Sequence, residues 1–212
     1  FILNEKEYVE NALASGDYAD DIYKTLVLLA QYYYQYCGYR KVKITNLLLD
    51  FLVKNYAPYA HNKRQWAATC EKIARKTGGK TLLQIDGVWI TATELETIAE
   101  IENKTLARLA FTMLCIAKLN NAKNTKNNNW VNLDSKDIFN AARVAGSRTQ
   151  RDLRIADLLD LGLIELPKNN SKLNIRVSFL DDNSGNKLFV SDFRELGNLY
   201  RAEIEKNEKF RK

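Results

Sequence analysis

The sequence predicts a mainly α (α+β) chain of two modules, each a run of helices followed by a small β-hairpin. Three observations carry this. Apolar residues recur at three- and four-residue spacing over most of the 212 residues. That period gives way to β-rich runs after each set of helices, at 82–91 and again at 163–180. Glycine and proline are scarce, at 9 and 2, which excludes a glycine-rich or disordered chain. The expected division is a helical module over 1–92, a second module over 93–190 and a charged C-terminal helix over 191–212.

The first helix starts after Asn4, whose side chain can accept first-turn N–H groups, with Glu7 at the third helical position and Leu3 able to staple to Tyr8. Gly16 ends it. Asp20 is the expected cap of a second helix that runs to about Cys37 and stops at Gly38. A third runs from about Lys43 to Tyr56, ahead of Pro58. A fourth runs from about Asn62 to Thr77, ahead of Gly78 and Gly79. Residues 82–85 and 88–91 then read as strands, and Asp86-Gly87 between them predicts a two-residue hairpin turn.

Thr91 and Glu94 form a capping-box pattern that opens a long helical segment to about Asn120, with a break near Asn103. Residues 120–129 hold six asparagines and two lysines and read as a polar loop or the start of a disordered tip. The second module follows: a short strand at 130–133, a helix capped by Asp134 or Ser135, a turn at Ala145-Gly146-Ser147, and a helix over 148–161. Gly162 ends that helix. Strands at 163–166 and 173–180 flank a polar tip at 168–172, and a turn at 182–186 leads into a β-rich run at 187–190.

Function is read from charge and from absences. The net charge is +6 and the pI about 9.1, a balance that favours nucleic acid or an anionic surface as partner. The charge is uneven: residues 38–80 hold ten bases and two acids, whereas residues 1–37 hold six acids and two bases. Two nucleic-acid-facing surfaces and ordinary solvated helix faces both fit this alternation. Cys37, Cys70 and Cys115 are far apart, which fits a reduced, cytoplasmic protein without disulfides or metal-ligand spacing. Glu5 and Glu7 stand where a signal peptide needs a basic and then an apolar region, and the apolar stretches are too short to cross a bilayer. Gly78-Gly79-Lys80-Thr81 looks like the end of a phosphate-binding loop, but Ala74 stands where the pattern needs glycine, and helix and strand come in the wrong order. His61 is the only histidine, so histidine-based catalysis has little to work with. The expectation is a non-enzymatic chain with no cofactor.

The element order over 130–180 (strand, helix, turn, helix, strand, polar tip, strand) resembles winged-helix domains. The tandem of two such modules is similar to plasmid- and phage-type replication initiators, and residues 158–164 look like the helix-to-strand join of that superfamily. The asparagine- and lysine-rich composition looks like that of a low-GC bacterium or its phage. The resemblance implies binding to double-stranded DNA and often homodimerisation, and it transfers no catalytic residue. A winged helix places its second motif helix in the major groove. On a helical wheel Ile155, Leu158 and Leu159 form the buried stripe of that helix, and Gln150 and Arg154 fall opposite. Thr149 lies at the edge, and Arg148 and Arg151 sit in the first turn within reach of phosphates. Lys168, Lys172 and Arg176 are the wing candidates, and Lys63 and Arg64 are the candidates in the first module. The tyrosines at 32, 33, 34, 36 and 39 read as packing residues. The roles this implies are replication initiation or control of transcription or recombination. The competing expectation is an accessory factor that docks on a phage or host recombination or replication enzyme.

Overall fold

A computed structural model describes residues 2–18, 21–167 and 174–206, and divides them into two units, 2–84 and 85–206. In the first unit, helix α1 (Glu5–Ser15) opens as its sequence dictates. The Asn4 side chain accepts the Glu7 N–H at 3.1 Å, and Gly16 closes the helix at φ +79°. Helix α2 (Ile22–Gln35) is capped by Asp21, which accepts the Lys24 N–H at 3.2 Å. The cap is thus one residue later than expected, and Asp20 lies outside the described residues. Helix α3 (Lys41–Asn55) leads through a 3-10 turn (Ala57–His61) into α4 (Lys63–Lys76). The turn exists because Pro58 lacks an N–H and cannot continue α3. Leu26, Leu29, Ile44, Leu48, Leu52 and Cys70 form the centre of the core, and α4 packs against both α2 and α3.

The hairpin expected around Asp86-Gly87 is not formed. Residues 82–84 turn back on α1: the Glu5 N–H donates to the Leu83 carbonyl at 2.9 Å, the Glu5 carboxylate accepts the Leu83 N–H at 2.9 Å, and Asn4 bridges Gln84. Strand β1 (Val88–Thr91) belongs to the second unit. There it pairs antiparallel with β4 (Asn186–Val190), with Val88 opposite Val190 and Trp89 opposite Phe189. A two-residue hairpin turn requires positive φ at both central residues, and neither Asp86 nor Gly87 has it. Gly87 is glycine for another reason. A Cβ there would lie within 3.0 Å of the Val190 carbonyl oxygen and the Phe189 ring, nearer than side-chain carbons come. Gly87→Ala should therefore lower stability by about 1–3 kcal/mol through overpacking. Thermal unfolding checks this, and an unchanged melting temperature would show that β4 is free to move away.

The second unit is built around α6 (Lys104–Lys123), which is buried almost continuously from Leu106 to Leu119. Asn103 breaks the long helical segment by accepting the Thr105 and Leu106 N–H groups, which separates α6 from α5 (Ala92–Ala99). Residues 120–123 of the asparagine-rich segment complete α6, and the rest forms a polar loop, one of the two readings the sequence offered. Asn121, Asn127, Asn129 and Asn132 bond to one another through their amides at 2.6–2.9 Å. Asn128, Asn129 and Asn132 take positive φ, a conformation that asparagine tolerates better than most residues.

Trp130 forms a single bridge to Arg176, shorter than the strand expected at 130–133. Helices α7 (Ser135–Ala141) and α8 (Arg148–Asp160) follow, with Ser147 and Gln150 completing a capping box, and then β2 (Ile164–Glu165) paired with β3 (Arg176–Val177). The last described elements are α9 (Leu196–Tyr200) and a π-helical turn, Arg201–Glu205. A separate charged helix was expected from 191. Instead Phe193, Leu196, Tyr200 and Ile204 are buried, and α9 packs on α6. The described residues are mainly helical, with two small two-stranded antiparallel sheets.

Candidate nucleic-acid interface

Helix α8 holds three arginines and three aspartates, and its orientation decides which of them meet solvent. Ile155 and Leu158 are buried as the wheel requires. Leu159 is not; it is 39% exposed. Arg154 stands on the inward side, half-buried, and donates through Nη1 to the Ala145 carbonyl at 2.7 Å. Arg151 donates to the Gly146 carbonyl at 3.2 Å, and its Nε is buried without an acceptor. The Gln150 carbonyl oxygen accepts the Ser147 N–H at 2.9 Å. Three of the five residues expected to read DNA are thus occupied in closing the α7–α8 turn. Arg148 and Thr149 remain exposed. The outward face carries Asp152, Leu153, Asp157 and Asp160, all exposed, so its local field repels phosphate.

The wing expectation fares similarly. Arg176 donates from Nη1 to Glu165 at 2.9 Å, and from Nε and Nη2 to the Asn128 backbone and side-chain oxygens. It ties the asparagine loop to the small sheet. Lys168 and Lys172 lie outside the described residues.

The first unit places its bases differently. Cys70, Ile73 and Ala74 form the buried side of α4, which leaves Lys63, Arg64, Gln65, Lys72, Arg75 and Lys76 exposed. Glu71 is the only acid on the helix and is paired with Arg75 at 3.2 Å. Among the described residues, Lys63, Arg64, Lys72 and Lys76 have no acidic partner. Asn62 makes no side-chain cap, so the positive end of the helix dipole adds to Lys63 and Arg64. Lys63 and Arg64 were expected in such a place. Lys72 and Lys76 complete the face, and the three- and four-residue spacing of the bases was the signal for them.

The tyrosines mostly pack. The Tyr33 and Tyr39 rings stack at 6.1 Å, and Lys43 Nζ lies 3.6 Å from the Tyr39 ring centre, which engages one of the ten bases of residues 38–80. Burial raises the Tyr33 hydroxyl pKa.

Buried thiols offer no nucleophile. Burial pushes Cys70 up to about 11 and Cys115 well above its usual value, while Cys37 is exposed. A thiol reagent should therefore label Cys37 alone in the native protein and all three cysteines after unfolding. Rapid native labelling of Cys70 or Cys115 would contradict the packing.

One ionic constellation escaped sequence reasoning. Glu94 is fully buried and Lys118 is 7% exposed, with Lys118 Nζ 2.9 Å from Glu94 Oε1. Lys118 also donates to Asp182 at 2.8 Å and to the Trp89 carbonyl at 2.9 Å. Glu94 in turn accepts the Thr91 and Asp181 N–H groups at 2.8 and 2.9 Å. Each polar atom is satisfied within the protein, so the network reads as a structural clamp on β1, α5 and α6. Only the capping-box half of it was visible in the sequence.

No family model, curated protein or solved structure matches the chain. Among the described residues, no helix is long and apolar enough to cross a membrane, and no group of three or more histidine, cysteine or acidic side chains could hold a metal.

Proposed function

We propose that the chain binds duplex DNA and that the solvent face of α4 carries the contact. The observation that supports this is the set of bases the helix exposes: Arg64, Lys72 and Lys76 on that face and Lys63 at its N-terminal end, all without acidic partners among the described residues, with an exposed Gln65 on a helix whose only acid is already paired. Lysine and arginine neutralise phosphates, and arginine and glutamine can read base edges in a major groove wide enough for a helix. A last helix that packs on two others and leaves one face free is the arrangement a reading helix needs. In the second unit, the order α6, α7, α8, β2, β3 is that of a winged helix. With the resemblance to replication initiators, this supports a role in replication initiation, or in transcription or recombination control, in a phage, a plasmid or a low-GC bacterium.

Crosslinking to a photoreactive duplex tests the assignment. Labelled peptides should fall within 62–80; labels confined to α8 and the wing would overturn it. Sequences selected from random duplexes would then separate a homodimeric regulator, which enriches palindromes, from an initiator, which enriches direct repeats.

A second reading applies to the second unit. The outward side of α8 exposes Leu153 at 60%, near its C-terminal end Leu161 is exposed at 55%, and Asp152, Asp157 and Asp160 lie among them. An acidic surface with apolar anchors suits a protein partner better than a phosphate backbone. This favours docking on a replication or recombination enzyme as the work of that unit.

A further inference from the structure

A groove of about 370 Å³ opens in the second unit beside the Glu94–Lys118 pair, and Trp89, Lys118, Asn121, Asp182 and Asn186 are among its lining residues. That volume is within the range of small-ligand pockets. The lining is held from behind. Lys118 Nζ lies 2.8 Å from Asp182 Oδ1 and donates to the Trp89 carbonyl at 2.9 Å, so one ammonium fixes both residues at the same place. Val88 and Ile90 are buried from β1, and Trp89, between them, falls on the opposite face of the strand. It is 47% exposed, and its ring packs against that of Phe189 on β4 at 5.0 Å between centroids.

The lining offers acceptors and a ring face rather than a free cation. Among the described residues, Lys118 is the one base that lines the groove, and its three N–H groups go to Glu94, Asp182 and the Trp89 carbonyl. The Asn121 amide is engaged with Asn127 and Asn129. Asp182 is in surplus: Glu94 and Asp182 set two carboxylates against one ammonium, and Glu94 is fully buried. The Asp182 side chain is exposed and spends one oxygen on a single Lys118 N–H, whereas a carboxylate accepts up to about four hydrogen bonds. An accessible carboxylate beside an accessible indole suits an organic cation, because the indole face is the best aromatic partner for positive charge.

We propose that the groove binds a guanidinium group, which stacks on the Trp89 ring and donates to Asp182. Guanidinium is favoured over a simple ammonium because it is planar, weakly hydrated and able to give a carboxylate two parallel N–H bonds. The ligand is either an arginine side chain of a partner protein or a free guanidinium compound. The site uses no residue of α4 or α8 and stands independently of both readings above.

Nuclear magnetic resonance titration of the isotope-labelled full chain with the capped tripeptide acetyl-Gly-Arg-Gly-amide tests the proposal. The Trp89 indole signal and the backbone amide signals of Asp182 and Asn186 should shift together and saturate. Trp89→Leu and Asp182→Asn should each weaken the binding at least about tenfold, read from the amide signals that remain. Trp89 and Asp182 are exposed, and asparagine keeps an acceptor for Lys118, so both variants should melt with the parent. The same peptide with citrulline, a neutral isostere of arginine, should give no saturable shift. Methylguanidinium separates the sources. A tripeptide that binds tighter than methylguanidinium assigns the groove to an arginine of a partner protein, and one that binds no tighter assigns it to a free guanidinium compound. Saturable binding of the citrulline peptide at the affinity of the arginine peptide, an unchanged affinity in either variant, or no saturation by either cation overturns the site.

Discussion

Glu94→Ala should destabilise the second unit by about 3–5 kcal/mol, the range for breaking a buried ion pair from one side. The removed carboxylate is fully buried and has three partners: the Lys118 ammonium and the Thr91 and Asp181 N–H groups. Lys118 is left with one exposed carboxylate and a carbonyl in a site from which water is largely excluded. Two backbone donors lose their acceptor as well, each at a cost of about 1–3 kcal/mol when it cannot reach water. Asp182→Ala serves as the control. Asp182 bonds the same ammonium, but its side chain is 72% exposed, so its loss should cost less than about 1 kcal/mol. Urea unfolding of both variants checks the pair. Equal, small losses would mean that Lys118 finds a new acceptor or that water enters the clamp.

Arg64→Ala/Lys72→Ala/Lys76→Ala should cut duplex affinity about a hundredfold at low salt without lowering the melting temperature. The estimate takes about 1 kcal/mol for each lost phosphate contact, or about 3 kcal/mol in all. All three side chains are exposed and have no acidic partner among the described residues, so the fold does not rest on them. Arg151→Ala/Arg154→Ala should behave differently. These arginines hold the carbonyls of the α7–α8 turn, so their removal should lower stability by about 1 kcal/mol for each bond. Fluorescence anisotropy with a labelled duplex, paired with thermal unfolding, separates the two variants. A triple variant that binds like the parent would remove α4 from the interface.

Much of the fold was legible in local chemistry. Caps at Asn4 and Ser147, the alternatives Asp134 or Ser135, the break near Asn103, and stops at Gly16 and Gly162 placed most helices to within two residues, because capping is a contact between neighbours in sequence. The strands were less legible. Asp86-Gly87 carries a strong hairpin signal, but β1 pairs with a strand almost a hundred residues later, and Gly87 is needed for the approach of that strand. Local pattern cannot register such a partner. Residues 196–204 read as a solvated charged helix because the count of charges hid an apolar stripe of Leu196, Tyr200 and Ile204.

The candidate site shows the same division. The bases of α4 were visible as a run, and Arg64, Lys72, Arg75 and Lys76 proved to lie opposite the buried side, with Lys63 exposed at the N-terminal end of the helix. The arginines of α8 were visible too, but the sequence could not show that Arg151 and Arg154 fold back on the preceding turn. Helical position alone does not fix where a side chain with several rotatable bonds ends. The Glu94–Lys118–Asp182 clamp joins residues distant in sequence, and no spacing rule announces it.

The most direct test of DNA binding through α4 is the dependence of duplex affinity on salt for the full chain. Four bases without acidic partners, each releasing about 0.9 of a counterion, give a slope of log affinity against log salt near −3.6. A slope close to zero, or no measurable duplex binding at low salt, would contradict the account.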